Sequence, residues 1–151
     1  MNILIVEDQP KLKVEPALEY LKLKKVKFDY KIFLSIGAAL RYMHDNLSKV
    51  DLAIVDLGLP WYDGEPIKSK VEGMDIIYEI MHKNFEENLN IPIIINSTTK
   101  IEGVNGETEE EYFKNYFGEE FKMKIEHVDC LKGSWLYEFL QNNMSEKMEF
   151  I

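Results

Sequence analysis

The most constraining stretch of this chain is Val50 to Pro60, V-D-L-A-I-V-D-L-G-L-P. Leu52, Ala53, Ile54 and Val55 form an apolar, β-prone run, too short for a lone helix and too hydrophobic for an exposed loop. Such a run fits a strand buried on both faces. Asp56 follows it directly, and Gly58 and Pro60 then break the chain. The carboxylate is therefore expected at the carboxyl end of a buried strand, where open α/β sheets place their ligands.

The same pattern recurs along the sequence. Ile3 to Val6 is a short apolar run that ends in Glu7 and Asp8 and cannot extend as a central strand past Gln9 and Pro10. Pro16 suits a first helical turn, and Ala17, Leu18 and Leu21, with Leu12 or Val14 behind them, keep helical spacing as far as Lys24 and Lys25. Phe28 to Leu34 is β-prone, and Ser35 offers an N-cap to a second helix carrying Ala39, Leu40, Tyr42, Met43 and Leu47. The Asp56 strand is the third. A twelve-residue stretch, 61–72, follows it without sustained periodicity and reads as an insertion at the active edge, in which Trp61 and Tyr62 either cover the acids or pack the insertion down.

Gly73-Met74-Asp75 opens a third helix through Ile76, Ile77, Ile80, Met81 and Phe85, with Asp75 near its positive end. Ile91 to Ile95 reads as the fourth strand and ends in Asn96, Ser97, Thr98 and Thr99. Thr108 and Glu111 form a capping-box pair before an aromatic helix with Tyr112, Phe113, Tyr116 and Phe117, which Gly118 stops. Ile125 to Leu131 is the expected fifth strand, and Lys132-Gly133-Ser134 leads into a last helix with Trp135, Leu136, Phe139 and Leu140. The tail 144–151 is expected to fray. Five β-α units in this order call for a parallel sheet covered by helices on both faces.

Composition narrows the class further. The 151 residues make one domain, 1–151, with a real core and no room for a second. Asp and Glu number 27 against 18 Lys and Arg, a net charge of −9 that repels phosphate backbones and argues against direct nucleic-acid binding. The single Cys130 excludes an internal disulfide or a multi-cysteine zinc site and fits a reducing cytoplasm. The first apolar run meets Glu7 too soon for a secretory signal, and no run approaches membrane-spanning length, so neither export nor membrane insertion is expected.

In a doubly wound sheet the strand ends converge on one edge. Glu7, Asp8 and Asp56 arrive there from two strands, Ser97 or Thr98 from another, and Lys132 from the last. Clustered carboxylates repel one another and require a cation, and an all-oxygen set favours a hard ion such as Mg²⁺. With that ion and the Lys132 ammonium neutralising phosphoryl oxygens, a carboxylate oxygen can attack phosphorus and a hydroxyl can bond the transferred group. The chemistry indicated is aspartyl phosphorylation.

The motifs I-L-I-V-E-D-Q at 3–9, D-L-A-I-V-D-L-G-L-P at 51–60, G-M-D at 73–75, I-P-I-I-I-N-S-T at 91–98 and L-K-G-S at 131–134 together span nearly the whole chain. In order and spacing the sequence resembles the receiver domains of two-component response regulators. That resemblance implies a five-stranded, flavodoxin-like sheet of order 2-1-3-4-5. It implies Asp56 as phosphoacceptor, Asp8 and Asp56 as direct Mg²⁺ ligands, Glu7 acting through water, and the Gly58 carbonyl as a backbone ligand. Ser97 would be the switch hydroxyl and Lys132 the cation on the phosphoryl group. The implied partners are a histidine kinase or phosphotransfer protein upstream and a protein effector downstream, with autodephosphorylation as the only further activity.

The sequence also departs from that family. Gly133 stands where the family usually has proline, Asp129 where it commonly has an aromatic switch residue, and the insertion 61–72 and the enlarged region 99–124 are atypical. One alternative is a pseudo-receiver that acts as a constitutive protein-interaction module without phosphorylation. Another is a Mg²⁺-dependent hydrolase, although Gly58 stands where a haloacid-dehalogenase-like phosphatase needs a second aspartate.

Overall fold

A computed structural model describes residues 1–69, 72–96, 111, 112, 115, 125–127 and 132–151. Its strands are β1 (Asn2–Val6), β2 (Asp29–Phe33), β3 (Leu52–Val55), β4 (Ile93–Ile95) and β5 (Ile125–His127). The helices are α1 (Pro10–Lys13), α2 (Glu15–Leu23), α3 (Ile36–Asn46), α4 (Met74–Glu86) and α5 (Trp135–Asn143). The protein is α/β, with a parallel sheet in the order β2-β1-β3-β4. Beyond β4, the backbone of 125–127 lies parallel and in register with it, Ile93 facing Ile125 and Ile95 facing His127.

The two-residue period of the strands divides the core. Leu4, Val6, Ala53, Val55, Ile93 and Ile95 face α3 and α4, where Ile36, Ala39, Met43, Ile76, Ile77 and Ile80 close over them. Ile3, Ile5, Leu52, Ile54 and Ile94 face the other way, against Ala17, Leu18 and Leu21 of α2 and Trp135, Leu136, Phe139 and Leu140 of α5. Apolar side chains on both faces explain why β1, β3 and β4 read as continuous hydrophobic runs. β2 is an edge strand, and the charged Asp29 and Lys31 suit its partly exposed position.

Two local expectations are revised. Pro16 stands in the first turn of α2 as expected, but a separate short helix, α1, precedes it: the chain breaks at Val14, whose backbone leaves helical geometry with φ −122° and ψ −42°. Pro16 accounts for the break, because it lacks the N–H that would bond the Leu12 carbonyl and its ring crowds that oxygen. Val14 is buried beneath the break, whereas Leu12 is 73% exposed. The tail does not fray either. The Lys27 N–H donates to the Glu149 carbonyl at 2.7 Å, the Ile151 N–H to the Lys25 carbonyl at 2.8 Å, and Val26 bridges Phe150.

The structure also chooses between the two readings of the insertion. Its first residue, with Pro60 before it, packs down on the amino end of α3, where the carbonyls of Pro60 and Trp61 accept the N–H groups of Ile36 and Gly37 at 2.9 and 2.8 Å. Those N–H groups have no partner within a helix, so the loop supplies the missing acceptors. Ser35 completes the cap, its hydroxyl accepting from the Ala38 N–H and donating to Asp63.

Of the aromatic helix expected from Thr108 to Gly118, only Glu111, Tyr112 and Asn115 are described, all helical. The Tyr112 hydroxyl lies 3.2 Å from that of Tyr78 on α4. Ser97, Thr98, Asp129 and Cys130 lie outside the described residues.

Candidate functional site

The sheet ladder continues one residue past the carboxyl end of three adjacent strands. The Glu7 N–H donates to the Phe33 carbonyl, the Asp56 N–H to Val6 and the Asn96 N–H to Val55, each at 3.0 Å. Because Val6, Val55 and Ile95 are aligned across β1, β3 and β4, the next residues, Glu7, Asp56 and Asn96, form one transverse row. They share the parity of Ile5, Ile54 and Ile94 and so point to the α2/α5 face of the sheet. α1 begins on the same side, directly after β1.

In that row Glu7, Asp56 and Asn96 are buried, Glu7 to 1% exposure. One carboxylate oxygen from each of Glu7, Asp8 and Asp56 lies within 4.8 Å of the others. Three acids expected from the sequence to meet therefore do meet. Glu7 Oε1 accepts the Gln9 N–H at 3.2 Å, but Glu7 Oε2 is buried without a hydrogen-bond partner. Asn96 Oδ1 is likewise buried and unpartnered. Asn96 Oδ1 can only accept, and Glu7 Oε2 accepts once its proton has left, so among the described residues this edge is short of donors or a cation.

The electrostatics follow from that shortage. Burial, and then the charge of Asp56, push the Glu7 carboxyl up to about 8 against the lowering pull of Lys13 and the Gln9 N–H. Partial burial and the same neighbour raise Asp8 as well.

The cation present is one that sequence reasoning missed. Lys13, the last residue of α1, places its Nζ 3.0 Å from Asp56 Oδ2 and 3.5 Å from Glu7 Oε1. Burial works to lower its ammonium, but the hydrogen bond to Asp56 and the charges of Glu7 and Asp56 outweigh burial and raise it above the usual lysine value. Its backbone is held too. The break at Val14 leaves the Lys13 carbonyl without Ala17 as a helical partner, since the Ala17 N–H bonds Val14, and Asn96 Nδ2 donates to the freed oxygen at 3.4 Å. The signal available was a lysine on the first helix after an acidic strand end, but Lys11 shared it.

Lys132 is placed elsewhere. Its Nζ pairs with Glu138 Oε1 at 2.8 Å and its side chain is 66% exposed, and its ion pair among the described residues is with α5 and not with Asp56. The Gly58 N–H donates to Asp56 Oδ1 at 3.3 Å, so the two Asp56 oxygens are held by different donors. Behind Asp56, the Gly73 N–H bonds the Leu57 carbonyl at 2.8 Å, and a Cβ at position 73 would fall 2.1 Å from the Asp56 carbonyl oxygen. Glycine is required there for the start of α4 to approach the end of β3.

Among the described residues the donor set fits a hard divalent ion: all oxygen, three carboxyl groups against one ammonium, and a buried Glu7 oxygen with no partner. Neither the family models nor the curated proteins searched contain a match to this chain. No helix among the described residues is long and apolar enough to cross a membrane.

Proposed function

We propose that this chain is a receiver domain that accepts a phosphoryl group on Asp56, with Mg²⁺ held by Glu7, Asp8 and Asp56, and signals through an altered protein interface. The observation that carries the reading is the convergence of those three acids at the carboxyl edge of a parallel sheet, with a buried carboxylate oxygen left unpartnered among them. The strand order β2-β1-β3-β4, with β5 in register beyond it, supports the complete five-stranded, flavodoxin-like arrangement. Mg²⁺ would supply neutralisation of the phosphoryl oxygens. The chain's own residues do the rest: the sheet fixes Asp56 in register, and the Gly58 N–H orients one of its oxygens. Asp8, and Glu7 once its proton is expelled, would supply charge that holds the ion. The donor would be the phosphohistidine of a kinase or phosphotransfer protein in the cytoplasm, and the recipient of the signal a protein effector.

The protein incubated with acetyl phosphate and Mg²⁺ is expected to gain the mass of one phosphoryl group, and Asp56→Asn to gain none. A second reading, a constitutive interaction module on the same fold, is favoured by the Lys13–Asp56 ion pair, which closes the acceptor carboxylate. No mass gain with acetyl phosphate or phosphoramidate would select it.

A further inference from the structure

Lys132 and Lys13 lie in very different settings. Lys132 is mostly exposed and paired with Glu138, a residue of the helix that follows it. Lys13 is largely covered, bonded to the acceptor carboxylate itself, and fixed at its backbone by Asn96 from the same row of the sheet. A lysine positioned at both ends is committed to that place, while its four-carbon stem still lets the ammonium shift by an oxygen–oxygen distance.

We propose that Lys13, from α1, is the catalytic cation of the Asp56 site, in the role the strand-five lysine would otherwise fill. The inference rests on the receiver reading above. In the transfer step an Asp56 oxygen forms its bond to phosphorus as the donor's P–N or P–O bond breaks. The leaving imidazole or carboxylate departs with the electron pair, and the imidazole takes a proton from water. Before the step the Lys13 ammonium neutralises the Asp56 carboxylate. During the step that charge passes to the phosphoryl oxygens, and the ammonium follows it without leaving the site. The same placement makes Lys13 a competitor of the divalent ion, because its Nζ already sits between Glu7 and Asp56, two of the three oxygen donors.

The two roles predict effects of opposite sign, which a merely structural lysine would not produce. Lys13→Met is expected to bind Mn²⁺ several-fold more tightly by calorimetry, yet to take up phosphoryl from acetyl phosphate with Mg²⁺ roughly a hundredfold more slowly. Lys13→Arg, which keeps the charge, is expected to recover part of that rate, and Lys132→Met to leave both the Mn²⁺ affinity and the rate within about twofold of the parent chain. A cooperative thermal transition checks that each variant is folded. Weaker Mn²⁺ binding in Lys13→Met, or a parental rate in it with a loss in Lys132→Met, overturns the proposal alone. Absence of phosphoryl gain in the parent chain overturns the receiver reading and this proposal with it.

Discussion

Glu7 shows how one buried carboxyl links the site to pH. Its proton is held up to about 8 in the folded chain, chiefly by burial and then by Asp56, against 4.5 for an ordinary glutamate. A group whose pKa is raised on folding contributes stability that is complete below its unfolded value and is lost as pH rises through its folded value. The metal-free protein is therefore expected to melt at progressively lower temperature between about pH 4.5 and 8. Glu7→Gln, which keeps the shape and cannot ionise, is expected to flatten that slope. Metal binding must expel the same proton, so Mg²⁺ affinity should rise across the window in the parent chain and less in the variant. Calorimetric melting and Mg²⁺ titration at pH 5.5 and 8.5 would check both, and equal slopes in the two proteins would assign the raised pKa to another group.

Among the elements, the approach of α4 to the end of β3 has the least tolerance. Gly73 touches the backbone of Asp56 and Leu57, and backbone atoms cannot swing aside as a side chain can. Gly73→Ala is expected to cost about 1–3 kcal/mol in urea unfolding through overpacking. The Asp56 carboxylate should move with its carbonyl, weakening Mg²⁺ binding as well. An unchanged Mg²⁺ affinity in a destabilised variant would separate the glycine from the site.

The positions of the strands were legible at this level, because each buried strand announces itself as an apolar run and each run stops at a polar residue, whereas their order in the sheet came from the family resemblance and not from the runs. The sequence also made Glu7, Asp8 and Asp56 legible, since a residue directly after a buried strand has only one edge on which to stand. Lys13 was not legible. Its position depends on a helix broken at Val14 by Pro16, and an unbroken helix over the same residues would give Lys11 and Lys13 different bearings. Asn96 was passed over for the neighbouring hydroxyls because the parity that turns it toward α1 is fixed only by the register of β3 with β4.

Across the whole molecule the two edges of the sheet are treated differently. At the amino edge, polar groups at the start of β1 and β2 are paired. The Asn2 N–H donates to Asp51 at 2.8 Å, the Asn2 side chain to the Lys49 carbonyl at 3.1 Å, and the Asp29 N–H to the Met1 carbonyl at 2.8 Å. The C-terminal tail adds its bonds to Lys25 and Lys27 on the same side, just before β2 begins. At the carboxyl edge Glu7 Oε2 and Asn96 Oδ1 are left unpaired and three acids crowd together. Among the described residues, paired polar groups thus lie at one end of the strands and unpaired acceptors at the other. Deleting residues 149–151 removes the Lys27–Glu149 and Ile151–Lys25 backbone bonds and the Val26–Phe150 bridge. At about 0.5–1.5 kcal/mol for each hydrogen bond lost, the truncated chain should unfold at lower urea by roughly 1–3 kcal/mol. Its Mg²⁺ affinity and its phosphoryl uptake, measured well below the shifted transition, should match the full chain, because none of the lost groups touches Glu7, Asp8, Lys13 or Asp56. A fall in affinity larger than the unfolded fraction explains would mean that the two edges are coupled through β1 and β2.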